Sequence, residues 1–171
     1  MATTRRDRRG RFAKNQNVGD DKEWRRILGD VRELAKARVQ VGILASKGGN
    51  EVHDGESGLT MIEILAIHEF GSPAANIPAR APLRTTFVRK QRELGELCAK
   101  ASTAVMGGMK PRRALEIVGI WASTEVKKTI TAEEHLEPAL KPATVARKGS
   151  DRPLVDTGRL VNAITYEVIE L

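Results

Sequence analysis

Aromatic side chains are scarce in this chain: two Trp, one Tyr and three Phe among 171 residues. With 40% hydrophobic residues overall, the core must be largely aliphatic, built from Ile, Leu, Val and Ala. There is one cysteine, Cys98, which excludes an internal disulfide framework and suits a reducing compartment. Long apolar runs are missing, and none approaches the roughly 20 residues a membrane helix needs. The basic N-terminus lacks the apolar stretch of a secretory signal. These absences predict a soluble protein with no membrane partner.

Chemistry is equally thin. Gly42 and Gly48-Gly49 form neither a GxGxxG fingerprint nor a P-loop, so no phosphate cradle is implied. His68-Glu69 falls on a predicted helix without the second histidine that a zincin face requires. His53-Asp54 lies in a Gly-rich loop, where an exposed histidine is the ordinary expectation. Glu133, Glu134, His135 and Glu137 are the densest cluster of acids and imidazole. Consecutive side chains point apart, so a solvated helix end outweighs a divalent-cation site there. Cys98 falls on the apolar side of a predicted helix and reads as a buried structural thiol. Asp156-Thr-Gly158 matches the tripeptide that carries the catalytic carboxylate of aspartic proteases, but the flanking apolar pattern and partner aspartate are not evident. Its short side chains and glycine read instead as a turn. The sequence predicts no catalytic residue, no cofactor and no metal: this is not an enzyme.

What is present begins with charge. The formal net charge is +7, which suggests nucleic acid until its location is considered. Arg5, Arg6, Arg8, Arg9, Arg11 and Lys14 face one acid, Asp7, within the first 14 residues. That segment holds +5 of the total, and the other 157 residues carry +2. Residues 1–20 have almost no apolar content and no periodicity, which predicts a disordered basic arm. Six cations on such an arm could bind DNA or RNA without sequence preference, dock on an acidic protein surface, or serve only as a solubilising tail.

From residue 21 to 171 the pattern fits a single domain. Asp20 or Asp21 can cap a helix over 22–37, with Trp24, Ile27, Leu28, Val31, Leu34 and Ala35 as its stripe. Core anchoring is the default reading for Trp24 and for Trp121, with an oligomer interface as the functional alternative. Val39, Val41 and Ile43 alternate with polar residues or glycine, a strand pattern. Residues 46–58 are rich in Gly, Asn, Asp and Ser and predict an exposed, mobile loop. Thr60-Met-Ile-Glu63 is a capping box opening a helix with Ile62, Leu65, Ala66 and Phe70 on one side, ended by Gly71. Pro73, Pro78 and Pro82 make residues 72–82 a stiff connection. Pro82 then starts a long helix to about 105, Gly107-Gly108 breaks it, and Pro111 starts another to about 130. These two predict an antiparallel helical hairpin. A basic loop, Lys141 to Arg152, precedes the Asp156-Thr-Gly158 turn, and Val161 to Leu171 returns as a closing strand. The predicted class is α+β: a small, mostly antiparallel sheet packed against several helices, including the long hairpin.

Five of these segments, in order and spacing, resemble the tail-completion or neck proteins of long-tailed bacteriophages, grouped with the phage virion-morphogenesis family. They are Val41-Gly-Ile43, Ile67-His-Glu-Phe-Gly71, Ile77-Pro-Ala-Arg-Ala-Pro-Leu-Arg84, Leu140-Lys-Pro-Ala-Thr144 and Pro153-Leu-Val-Asp-Thr-Gly-Arg-Leu160. The resemblance covers residues 38 to 171. It implies a structural virion protein forming a ring at the head-tail junction, with sixfold symmetry, between the head connector or adaptor and the tail tube or terminator. It implies no catalytic residue, no cofactor, a place in the virion, and assembly in the host cytoplasm. Lys141, Arg147, Lys148 and Arg152 become candidate subunit contacts, and the basic arm a candidate non-specific DNA contact in the ring lumen. The alternatives are a tail-terminator ring capping the tube, and a small nucleic-acid-binding protein acting through the arm. A hydrolase built on Asp156 ranks below both.

Overall fold

A computed structural model describes residues 20–52, 58–131 and 158–170, together with Pro138 and Ala146. Among these residues the chain forms six helices and one two-stranded antiparallel sheet, an α+β fold. The order is α1 (Asp20–Lys36), β1 (Ala37–Gly42), α2 (Met61–Phe70), α3 (Pro82–Arg89), α4 (Gln91–Met106), α5 (Pro111–Thr131), α6 (Arg159–Ala163) and β2 (Thr165–Glu170). Short 3-10 turns lie at Ala45–Lys47 and Pro73–Ala75.

β1 and β2 pair with Val39 opposite Val168 and Val41 opposite Tyr166. Directly paired residues share a face, so Ala37, Val39, Val41, Tyr166 and Val168 lie on one face, apolar but for Glu170 at its end. That face lies on α5, where Gly119 sits against the Tyr166 ring. The core joins α5, α2 and α6: Val126 and Ile130, Met61 and Leu65, and Leu160, with Ile43 and Ile164 from the strand ends. Ile164 is 1% exposed and Val126 is fully buried, as the aliphatic composition requires. α5 is thus the central element, with β1, β2 and α6 all packed against it.

Several sequence expectations are corrected here. The helix from Pro82 is not continuous, because it breaks at Lys90 (φ −100°, ψ 12°) into α3 and α4. The buried Thr86 hydroxyl donates to the Pro82 carbonyl at 2.7 Å, a back-bond that bends helices. Lys90 at the bend meets Glu93 and, at 3.7 Å, Glu125 on α5. The hydrogen bonds to Glu93, with the charges of Glu93 and Glu125, hold the Lys90 ammonium above its usual range. The hairpin therefore consists of α4 and α5 alone.

Phe70 is 73% exposed. The inward register of α2 is Met61, Leu65 and Glu69, and Phe70 falls off that line. Trp24 is 58% exposed and does not anchor the core, whereas Trp121 is half-buried. Cys98 is exposed as well, because α4 runs along the surface and fully buries Val105 alone. Residues 159–163, expected to lead straight into a strand, form α6 instead. Gly158, at φ +74°, makes the turn, and its carbonyl accepts from the Asn162 amide. In the described part of the Gly-rich loop, Gly49 is buried, with its amide on the Leu44 carbonyl and its carbonyl accepting from the Ile62 amide.

Candidate functional site

Two of the sequence motifs meet in one place, and the local chain explains why. The capping box works as the sequence predicts: Thr60 accepts from the Glu63 amide, and the Glu63 carboxylate accepts from the Thr60 amide at 2.8 Å. These bonds hold the Glu63 carboxyl below the usual carboxylate range. The helix so started runs to Gly71, which turns at φ +80° with its amide on the Ile67 carbonyl. A side chain at Gly71 would meet the Ala79 amide nitrogen at 2.9 Å, so the chain can fold back only because this residue is glycine. Ser72 and Ile77 pair as an isolated antiparallel bridge across the Pro73–Ala75 turn. The returning chain then passes under α2, and the His68 carbonyl accepts from the Arg80 and Ala81 amides.

Glu69 completes this clasp. It is buried, and its carboxylate accepts from the Leu83 and Arg84 amides at 2.9 and 3.1 Å, with the Arg84 guanidinium at 3.9 Å. Ala81 precedes α3 in the left-handed region (φ 45°, ψ 56°) and offers no side-chain cap. Glu69 therefore supplies from another helix what the local sequence lacks: two acceptors and a negative charge at the positive end of α3. Arg80 is also buried, and its Nε donates to the Pro138 carbonyl at 3.1 Å. Burial pushes the Arg80 guanidinium below its ordinary value. The Ile67–Gly71 and Ile77–Arg84 motifs are thus two halves of one backbone clasp, with carboxylate and guanidinium bound to main-chain groups.

No family model, curated protein or solved structure matches the chain.

The ten candidate contact residues, Arg5, Arg6, Arg8, Arg9, Arg11, Lys14, Lys141, Arg147, Lys148 and Arg152, all lie outside the described residues. So do His53-Asp54, the acidic cluster from Glu133 to Glu137, and Asp156. Among the described residues no group of three His, Cys, Asp or Glu side chains is placed to hold a metal ion. No described helix is long and apolar enough to cross a membrane.

Sequence reasoning missed Glu69, which joins the two motifs, and the buried Arg80, whose guanidinium reaches Pro138. The signal for Glu69 was available: it falls four residues after Leu65, on the inward register of α2. For Arg80 there was none, because a charged residue in a Pro-rich link reads as solvated. The described surface also carries large apolar side chains, among them Trp24, Phe70, Val88, Met106 and Ile120.

Proposed function

We propose that this chain is a structural virion protein of a long-tailed bacteriophage, forming a ring at the head-tail junction that joins the DNA-filled head to the tail. The observation that carries this reading is the ordered set of five motifs between residues 38 and 171. The second and third are compatible with it, since Ile67–Gly71 and Ile77–Arg84 meet and fix the path of the backbone through Glu69 and the His68 carbonyl.

Ring assembly also accounts for the exposed apolar side chains. In a heterologous ring each subunit presents two different patches, so Trp24 and Phe70, on separate helices, need not belong to one self-complementary face. Lys141, Arg147, Lys148 and Arg152 would contact a neighbouring subunit. The basic arm would meet DNA passing through the lumen or the adjoining connector or tail ring, by charge and without sequence preference.

Deleting the gene from the phage tests the reading. Separate DNA-filled heads and finished tails in the lysate are the expected outcome. Overlong tails would assign the chain to the tail-terminator position instead, and normal virions would refute both. A purified protein whose DNA affinity resides wholly in residues 1–14, with particle assembly unaffected by its loss, would favour the nucleic-acid-binding alternative.

A further inference from the structure

α1 is seated shallowly on the domain. Its apolar stripe is Trp24, Ile27, Leu28, Val31 and Leu34, spaced as a core-facing helix requires. Yet of the described residues 22–36 none is buried: Trp24 and Val31 are exposed, and Ile27, Leu28 and Leu34 are half-buried. α5 shows the contrast, with Val118, Ala122, Val126 and Ile130 buried on successive turns. A helix of 17 residues is marginal in water by itself, so α1 depends on this shallow packing to stay helical.

The packing beside it is also incomplete. An apolar cleft of about 420 Å³ is lined by Leu34 of α1, by Leu94, Cys98 and Ala101 of α4, and by Val118 of α5. Well-packed interiors leave few spaces larger than a water molecule, so each of these walls forgoes contacts. Nearer its start, α1 is tied to α4 by a polar contact. Arg26 Nη2 donates to the Met106 carbonyl at 3.0 Å, and Nη1 to the Val105 carbonyl at 3.5 Å. These carbonyls belong to the last turn of α4, the negative end of that helix, where a cation is favoured. Asp30, one turn further along α1, accepts from the same guanidinium at 2.7 Å. At its other end α1 passes from Lys36 into β1 at Ala37 with no intervening loop, and Ala37 is paired with Glu170. Such an element end, abutting a fixed strand, is where a change of backbone angle can be absorbed.

We propose that α1 is a latched strap. It lifts off the α4–α5 hairpin as one unit about the Lys36–Ala37 junction while the rest of the domain stays folded, and Arg26 is the latch. Opening removes the α1 wall of the cleft and exposes Leu94, Ala101 and Val118 to solvent. The latch works by charge and hydrogen bonds on the end of α4, so a group that draws Arg26 away from those carbonyls shifts the balance towards the open state. This assignment rests on the packing of the domain and is independent of the virion reading.

Native-state hydrogen exchange on the full-length protein tests this. The amides of Trp24 to Lys36 should exchange through one shared opening, at least about a hundredfold more often than those of Ala122 to Ile130. Arg26→Ala should speed exchange across α1 by about tenfold and leave α5 unchanged. Asp30→Ala removes a pair within α1 but keeps both carbonyl acceptors, and should change α1 by about twofold or less. Amides of α1 as protected as those of α5 would overturn the proposal, as would protection that fades residue by residue from the N-terminal end. An Arg26→Ala variant that loosens α1 and α5 equally, or no more than Asp30→Ala does, would overturn it as well.

Discussion

Replacing Gly119 by alanine should destabilise the protein, although the same change elsewhere in its helices should do the reverse. Alanine is favoured over glycine in a helix interior by about 0.5–1 kcal/mol, because glycine loses more backbone freedom on folding. Gly95 lies within α4, and a methyl group there would meet no atom within 4 Å. Gly95→Ala should therefore gain roughly that amount, raising Tm by about 1–4 °C for a domain of this size. Gly119 lies within α5, and a methyl group there would collide with the Tyr166 ring at Cδ2, Cγ and Cε2. These atoms lie near the root of the side chain. Tyr166 is fixed by its pairing with Val41 and by Lys47 above the ring, so it cannot swing away without moving β2. Overpacking of this kind costs about 1–3 kcal/mol, which outweighs the helix gain. The net prediction is a loss of about 1–2 kcal/mol, read from the midpoint of urea unfolding at unchanged slope. A double mutant with Tyr166→Ala should recover the helix gain, giving a coupling energy of opposite sign to the single loss. A Gly119→Ala variant as stable as Gly95→Ala would refute the packing of the sheet on α5.

Three further outcomes follow from the clasp and the capping box. Glu69→Gln keeps the shape but weakens two charge-assisted bonds to the start of α3, and should lower stability by about 1–2 kcal/mol in chemical denaturation. Gly71→Ala forces a side chain into φ +80°, ψ 169°, a region held almost only by glycine. It should cost about 1–3 kcal/mol and lower Tm, whereas Gly58→Ala, with open space around it, should cost less. Glu63 has a folded pKa depressed below 4.5 by its bonds to Thr60, so its contribution is present above the unfolded value and lost as pH falls through the folded one. Unfolding curves of the wild type and Glu63→Gln should therefore differ at pH 7 and converge in acid. A gap that persists or widens there would contradict the capping box.

The elements with strong local signals were legible in the sequence. Thr60 and Glu63 mark the start of α2, Pro111 opens α5, and the alternation of Val39 and Val41 marks β1, because each depends on neighbours within a few residues. What could not be read depends on distant partners. Thr86 and Lys90 bend the long helix through bonds completed within the fold, including one to Glu125. Trp24, Phe70 and Cys98 sit on apolar stripes, yet nothing among the described residues covers them fully, and a periodicity cannot say whether its partner exists. The clasp shows the same limit from the other side. Both motifs were recognised as segments, but the Glu69 carboxylate joining them across 14 residues belongs to tertiary structure.

The pairing of β1 with β2 has a consequence for how the protein is made. Ala37 lies opposite Glu170, so the strand synthesised early must wait for a partner emerging on the order of a hundred residues later. During that interval an emerging chain holds β1 with both edges open, beside helices that can form as they appear. Closing the ladder must await α6 and the seating of Ile164 in the core, which makes the sheet a late event and a seal on the whole domain. A ribosome stalled before residue 165 would carry a helical body with an uncommitted strand, an obvious substrate for chaperones and for pairing with the wrong chain.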